Sequence, residues 1–211
     1  MSQPDTKQRI LDAAEELFAR NGFYATSLRQ ITQLAEVNLA AVNYHFGSKE
    51  ELLEAVILRH LGPLNDKRRQ GLEHELQLAQ QEERRPRPRQ IMNALVEPTL
   101  QLRAPGSDHL AFVTLVGRLL ADTQGVGHEI FVRQMVPMLM QFYQALVEAL
   151  PEVDPSLLYW RLHFTVGSLS HMMRCHDRHG VVPPGIDPEI EIEALINMLL
   201  DFTVAGMEVV P

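Results

Sequence analysis

The chain has 211 residues, 45% hydrophobic and 22% charged, enough apolar material for one or two packed domains and too much for a disordered tail. A net charge of -8 excludes a protein that neutralises nucleic-acid phosphates over its whole surface. Strand signals are almost absent, and apolar residues recur at helical spacing, so the fold class expected is all-α. Ile10, Leu11, Ala14, Leu17 and Phe18 make one face of a first helix that starts near Asp5 or Thr6 and stops at Asn21-Gly22. A second short helix is capped by Thr26 or Ser27 and turns Leu28, Ile31 and Leu34 inward. Ala35-Glu36-Val37 then makes a turn, and Asn38 caps a third helix through Tyr44. This is helix-turn-helix spacing.

Ser48-Lys49-Glu50-Glu51 reads as a capping box opening a fourth helix through Leu52, Leu53, Val56 and Leu61, which Gly62-Pro63 kinks or interrupts. A polar helix with Leu72, Leu76 and Leu78 leads to the arginine-rich run at 82–89, read as an exposed linker or, alternatively, a second phosphate patch. Further helices are expected near 89–104, 109–122, 128–149, 156–178 and 188–207. The domains expected are a head, 1–50, and a helical ligand-binding and dimerisation domain, 51–211.

The charge is unevenly placed. Residues 1–69 carry nine Lys or Arg and nine Asp or Glu, so the remaining ten basic and eighteen acidic residues hold all of the excess. A neutral head on an acidic body can meet DNA through the head alone. Within that head, the third helix is rich in small residues and fits a major groove. Asn43 has an amide that both donates and accepts, suited to a base edge, while Tyr44, His45 and Lys49 suit phosphates. The alternative is that Tyr44 and Phe46 simply pack the turn. The run from Ala35 to Lys49, with Ile10-Leu11-Asp12-Ala13-Ala14, Leu17-Phe18, Gly22-Phe23 and Thr26-Ser27 ahead of it, resembles the DNA-binding domain of the TetR family of transcriptional regulators. The family usually has a glycine in the turn and another aromatic before Tyr-His-Phe; Glu36 and Asn43 stand there in this chain. The resemblance implies that Thr26, Ser27, Tyr44, His45 and Lys49 clamp phosphates and that Leu39, Ala40 and Asn43 face bases. It also implies a double-stranded operator as partner.

Asn38 to Lys49, Leu61-Gly62-Pro63, and Tyr159 to Phe164 followed by Gly167 are similar to the PsrA-type branch of fatty-acid-responsive repressors, which implies a long-chain fatty acid or acyl-CoA as effector. Phe112, Leu115, Phe131, Met135, Met138, Phe142 and Phe164 supply the apolar side chains for such a tail, with Arg118 or His163 near its polar end. A plain packed core is the alternative for the apolar set, and pairing with Asp or Glu is the alternative for Arg118 and Arg161. His171, Cys175 and His179, four apart, would suit a metal-sensing regulator instead. The head is equally compatible with an activator.

A homodimer is expected through the last two helices, which carry Leu157, Leu158, Val166, Leu169, Ile192, Leu195, Ile196, Leu199 and Leu200. No Ser-His-Asp order in motif context, Gly-rich phosphate loop or paired carboxylates occur, so neither an enzyme nor a cofactor is expected. The single Cys175 forms no intrachain disulfide, residues 1–5 lack a secretory pattern, and no run approaches the ~18 apolar residues of a membrane span. A cytoplasmic protein without a membrane partner is the expectation.

Overall fold

A computed structural model describes residues 5–104, 109–174, 185 and 190–210. Among the described residues the chain is all-α, with α1 (Thr6–Asn21), α2 (Leu28–Leu34), α3 (Leu39–Phe46), α4 (Lys49–Gln81), α5 (Pro88–Leu100), α6 (Leu110–Ala121), α7 (Val126–Ala149), α8 (Pro155–Arg174) and α9 (Ile192–Glu208). A single 3₁₀ turn, Gln101–Arg103, follows α5. The chain divides into two compact units, Met1–Gly62 with Asp108–Gln134 and Pro63–Ser107 with Met135–Pro211.

In the first unit, α1, α2 and α3 close around Ile10, Phe18, Ile31 and Val42, none of which is exposed. Leu34 departs from the inward face expected for it and is 46% exposed. Short helices such as α2 and α3 are marginal alone, so their caps matter. Ser27 and Gln30 form a reciprocal capping box at α2, and the Asn38 side chain accepts from the Ala41 amide at 2.8 Å to open α3. The Ser48 and Glu51 pair at the start of α4 is likewise reciprocal, through Ser48 N–H to Glu51 Oε2 at 2.9 Å and Glu51 N–H to Ser48 Oγ at 3.1 Å.

The turn between α2 and α3 puts Glu36 at φ 52°. This left-handed conformation costs a side-chain-bearing residue about 1–2 kcal/mol, which explains why the family pattern has glycine here. α6 packs on α1, and Arg118 on α6 donates to the Arg20 carbonyl in the last turn of α1 at 2.9 Å. Beneath, His60 stacks on Phe112 with ring centroids 4.6 Å apart and meets Glu15 Oε2 at 2.7 Å.

α4 continues through Gly62 and Pro63 as one helix, so the chain is not interrupted there. Pro63 removes one helical hydrogen bond, but buried Leu61 and Leu64 lie on either side, and packing outweighs the local breaker. In the second unit α5 supplies Ile91, Met92, Leu95 and Val96 to a core completed by α7, α8 and α9. The arginines of the 82–89 run are engaged by carboxylates: Arg84 by Glu75 and Glu82, Arg85 by Glu152, Arg87 by Glu82 and Arg89 by Asp201. That pairing corrects the phosphate-patch alternative.

Candidate nucleic-acid interface and effector residues

The α3 helix has two unlike faces. Val42 and Phe46 are buried, whereas Leu39 is 50% and Tyr44 86% exposed, with Ala40 and Asn43 also outward. Tyr44 therefore does not pack the turn, although Phe46 does. His45 is half-buried, its ring 5.1 Å from that of Tyr44. Gly47 ends α3 at φ 75°, where an added Cβ would come within 2.3 Å of Glu51 Oε2, so the turn that presents Lys49 needs glycine. The Lys49 ammonium sits 4.3 Å from the centre of the Phe23 ring. Partial burial lowers its pKa, with Glu50 opposing. Ser27 is exposed, and its hydroxyl serves the α2 cap.

Thr26 is a correction to the phosphate set. It is 1% exposed, and its hydroxyl hydrogen is shared between the Leu17 carbonyl at 3.1 Å and the Gly22 carbonyl at 2.8 Å. With its amide donating to the Phe23 carbonyl as well, Thr26 braces the α1–α2 corner from inside and presents no donor outward.

The residues expected around an effector fall in three places. Phe112, Leu115 and Phe131 are buried in the first unit, where Leu115 and Arg118 also line a cleft of about 510 Å³ with Tyr24 and His128. Met138 and Phe142 are buried in the second unit's core, with Met135 packed against it. His163 and Phe164 face outward from α8, the former bonding the Tyr159 carbonyl at 2.9 Å and the latter 67% exposed. They belong to a surface groove of about 650 Å³ between α8 and α9, with Met198 and Phe202 opposite. His163 and Phe164 thus stand at the surface, apart from the buried members of the expected effector set.

Arg118 and Arg161 share a role that spacing did not reveal. Each donates to the open carbonyls ending a neighbouring helix, Arg118 at α1 and Arg161 to Met207 and Val209 at the end of α9, at 3.0 and 2.7 Å. They pair with backbone oxygen and not with Asp or Glu. Of the metal-sensing triplet, His171 lies in the last turn of α8, while Cys175 and His179 lie outside the described residues.

Two buried charges in the second unit escaped the sequence reading. Glu75, 3% exposed, accepts from Arg84 Nη1 at 2.7 Å and from the Arg87 amide at 2.6 Å. Burial pushes its carboxyl up, but these donors more than offset that and leave it below the ordinary value. Arg68, also 3% exposed, is pushed down to about 10 by burial alone. Its only advance signal was its position between Leu64 and Leu72, one turn from each.

Together these define a helix-turn-helix head that exposes one face of α3, followed by a helical body. Residues 93–206, more than half of the chain, match the family described as tetracyclin repressor-like, C-terminal domain, and residues 10–56 match bacterial regulatory proteins, tetR family. The chain belongs to the TetR family. It is 41% identical over 58 residues to the HTH-type transcriptional regulator UidR of Escherichia coli (strain K12), a match spanning 28% of this chain and 29% of that relative. The fold is similar to that of FadR from Bacillus subtilis, solved in complex with stearoyl-CoA, with a TM-score of 0.71, 16% identity and coverage of 94% and 98% of the two chains. Similar too is the fatty acid degradation regulator FadR from Bacillus halodurans, with a TM-score of 0.69, 17% identity and 98% coverage of both chains.

Proposed function

We propose that this protein is a transcriptional repressor that binds a pseudo-palindromic operator as a homodimer and releases it when a long-chain fatty acid or acyl-CoA enters its body. The two-faced α3 carries this reading. A helix that buries Val42 and Phe46 while exposing Leu39, Ala40, Asn43 and Tyr44 can enter a major groove, with Tyr44, His45, Lys49 and Ser27 near the phosphates. One eight-residue helix reads few bases, so two heads are needed on successive grooves about 34–36 Å apart.

The dimer is supported by what α8 and α9 leave uncovered. Phe164, Met198 and Phe202 are 67%, 60% and 72% exposed, and Trp160 is 56% exposed. Contiguous apolar surface of this kind marks a protein interface. The residues expected at the interface from their spacing turn out differently, since Leu158, Leu169, Ile196, Leu199 and Leu200 belong to the chain's own core.

An acyl effector is supported by the fold similarity to the two FadR proteins, one solved with stearoyl-CoA, and by the methionine-rich inward face of α7, which can adapt to a flexible tail. Binding changes operator affinity only through the effector's differential affinity for the two arrangements of the heads. Footprinting on the DNA beside its own gene tests the reading: two protected half-sites are expected, lost on adding acyl compounds. Release by zinc or copper instead would transfer the effector role to His171, Cys175 and His179.

A further inference from the structure

Three charged side chains are buried among the described residues: Glu15, Arg68 and Glu75. Glu15 is paired with His60 and Arg59, and Glu75 with Arg84. Among the described residues Arg68 has no carboxylate partner. Its Nη1 donates to Asn65 Oδ1 and its Nη2 to Thr99 Oγ1, both at 2.7 Å, and Nη1 also reaches Met135 Sδ at 3.6 Å. Thr99 gives its own hydroxyl hydrogen to the Leu95 carbonyl, so it meets Arg68 as an acceptor. The Arg68 Nε has no acceptor among the described residues.

A guanidinium presents five N–H donors in a rigid fork. Here only two of its bonds go to oxygen, both to neutral groups, so neither the donors nor the charge are fully met. A buried cation of this kind calls for an anion, and the planar fork matches a carboxylate in bidentate geometry. The surroundings suit the rest of an amphiphile. Met135 touches the fork, and Met138 and Phe142 lie three and seven residues on, along the same face of α7.

We propose that Arg68, flanked by Asn65 and Thr99, is the receptor for the carboxylate of the effector, which makes the effector a free fatty acid and not its coenzyme A ester. This rests on the acyl-effector reading above. A thioester brings a neutral carbonyl to the fork and leaves the buried charge uncompensated.

Calorimetry with dodecanoate, 1-dodecanol and dodecanoyl-CoA on the full chain and on Arg68→Met and Arg68→Lys tests this, with melting curves to verify that each variant folds. Met fills a similar volume without a charge. The wild-type chain is expected to bind the acid about tenfold or more tightly than the alcohol, a difference of about 1.4 kcal/mol. Arg68→Met should bind acid and alcohol about equally, through loss of acid affinity alone, and Arg68→Lys should fall between. Equal binding of acid and alcohol by the wild type, tighter binding of the CoA ester, or full acid affinity in Arg68→Met overturns the Arg68 assignment while leaving the acyl-effector reading in place. The wild-type comparison stands even if neither variant folds. If none of the three compounds binds the wild type, both readings fall.

Discussion

On the outer face of the head, Asn43 offers an amide and Lys49 a charge, so their substitutions should fail in different ways. Lys49→Ala is expected to weaken binding to every DNA sequence and to reduce the salt slope by about one, because it removes one phosphate contact and its share of counterion release. Asn43→Ala should leave that slope unchanged and alter which base is preferred, as a selection among randomised half-sites would read. Thr26 belongs to another category, being buried with its hydroxyl shared by two carbonyls. Thr26→Val should therefore destabilise the protein by about 1–2 kcal/mol in denaturant titration. Glu36 holds a positive φ without glycine's freedom. Glu36→Gly should raise stability by about 0.5–1 kcal/mol, the relief of left-handed strain less the extra backbone entropy of glycine when unfolded.

The connection from α4 to α5 is an element held by one carboxylate. Glu75 ties the end of α4 to the Arg84 side chain and the Arg87 amide, satisfying groups that an arginine-rich turn would otherwise leave to water. Its carboxyl is held below the ordinary value when folded. The sign follows: this stabilisation is fully present above the unfolded carboxylate pKa of about 4.3 and is lost as pH falls through the lower folded value. Glu75→Gln should thus lose about 2 kcal/mol at neutral pH. The gap to the wild type should narrow steadily once denaturation is followed below about pH 4.

For the whole molecule, the decisive question is what covers α8 and α9. Phe202 is 72% exposed at a groove it shares with Phe164 and Met198, so a charge placed there has no effect on a monomer's core but is intolerable in an apolar interface. Phe202→Asp is expected to shift the sedimentation coefficient from dimer to monomer at micromolar concentration, to leave the melting profile of the helices intact, and to abolish tight operator binding because a lone head reads only one half-site. Dimeric sedimentation of the variant would place the interface elsewhere.

Much of this architecture was legible without coordinates, and the reason is locality. The α1 face, the Asn38 cap, the Ser48–Glu51 box and the short α2–α3 pair depend on residues three or four apart, which set backbone geometry whatever surrounds them. The inner and outer faces of α3 follow the same rule, apart from the ambiguity over Tyr44. Long-range choices were not legible. Apolar spacing marked Phe112, Met138 and Phe164 alike, yet the first belongs to the core of one unit, the second to the core of the other, and the third to the surface. On α8 and α9 both faces are apolar, so periodicity could not say which turns to the chain's own core and which is left for a partner. The arginines of α4, α6 and the 82–89 run look alike in sequence. Only the tertiary structure decides that Arg84 meets a carboxylate, Arg118 a helix end, and Arg68 neither, because a charge's partner is set by which distant residues packing brings within a few ångströms of it.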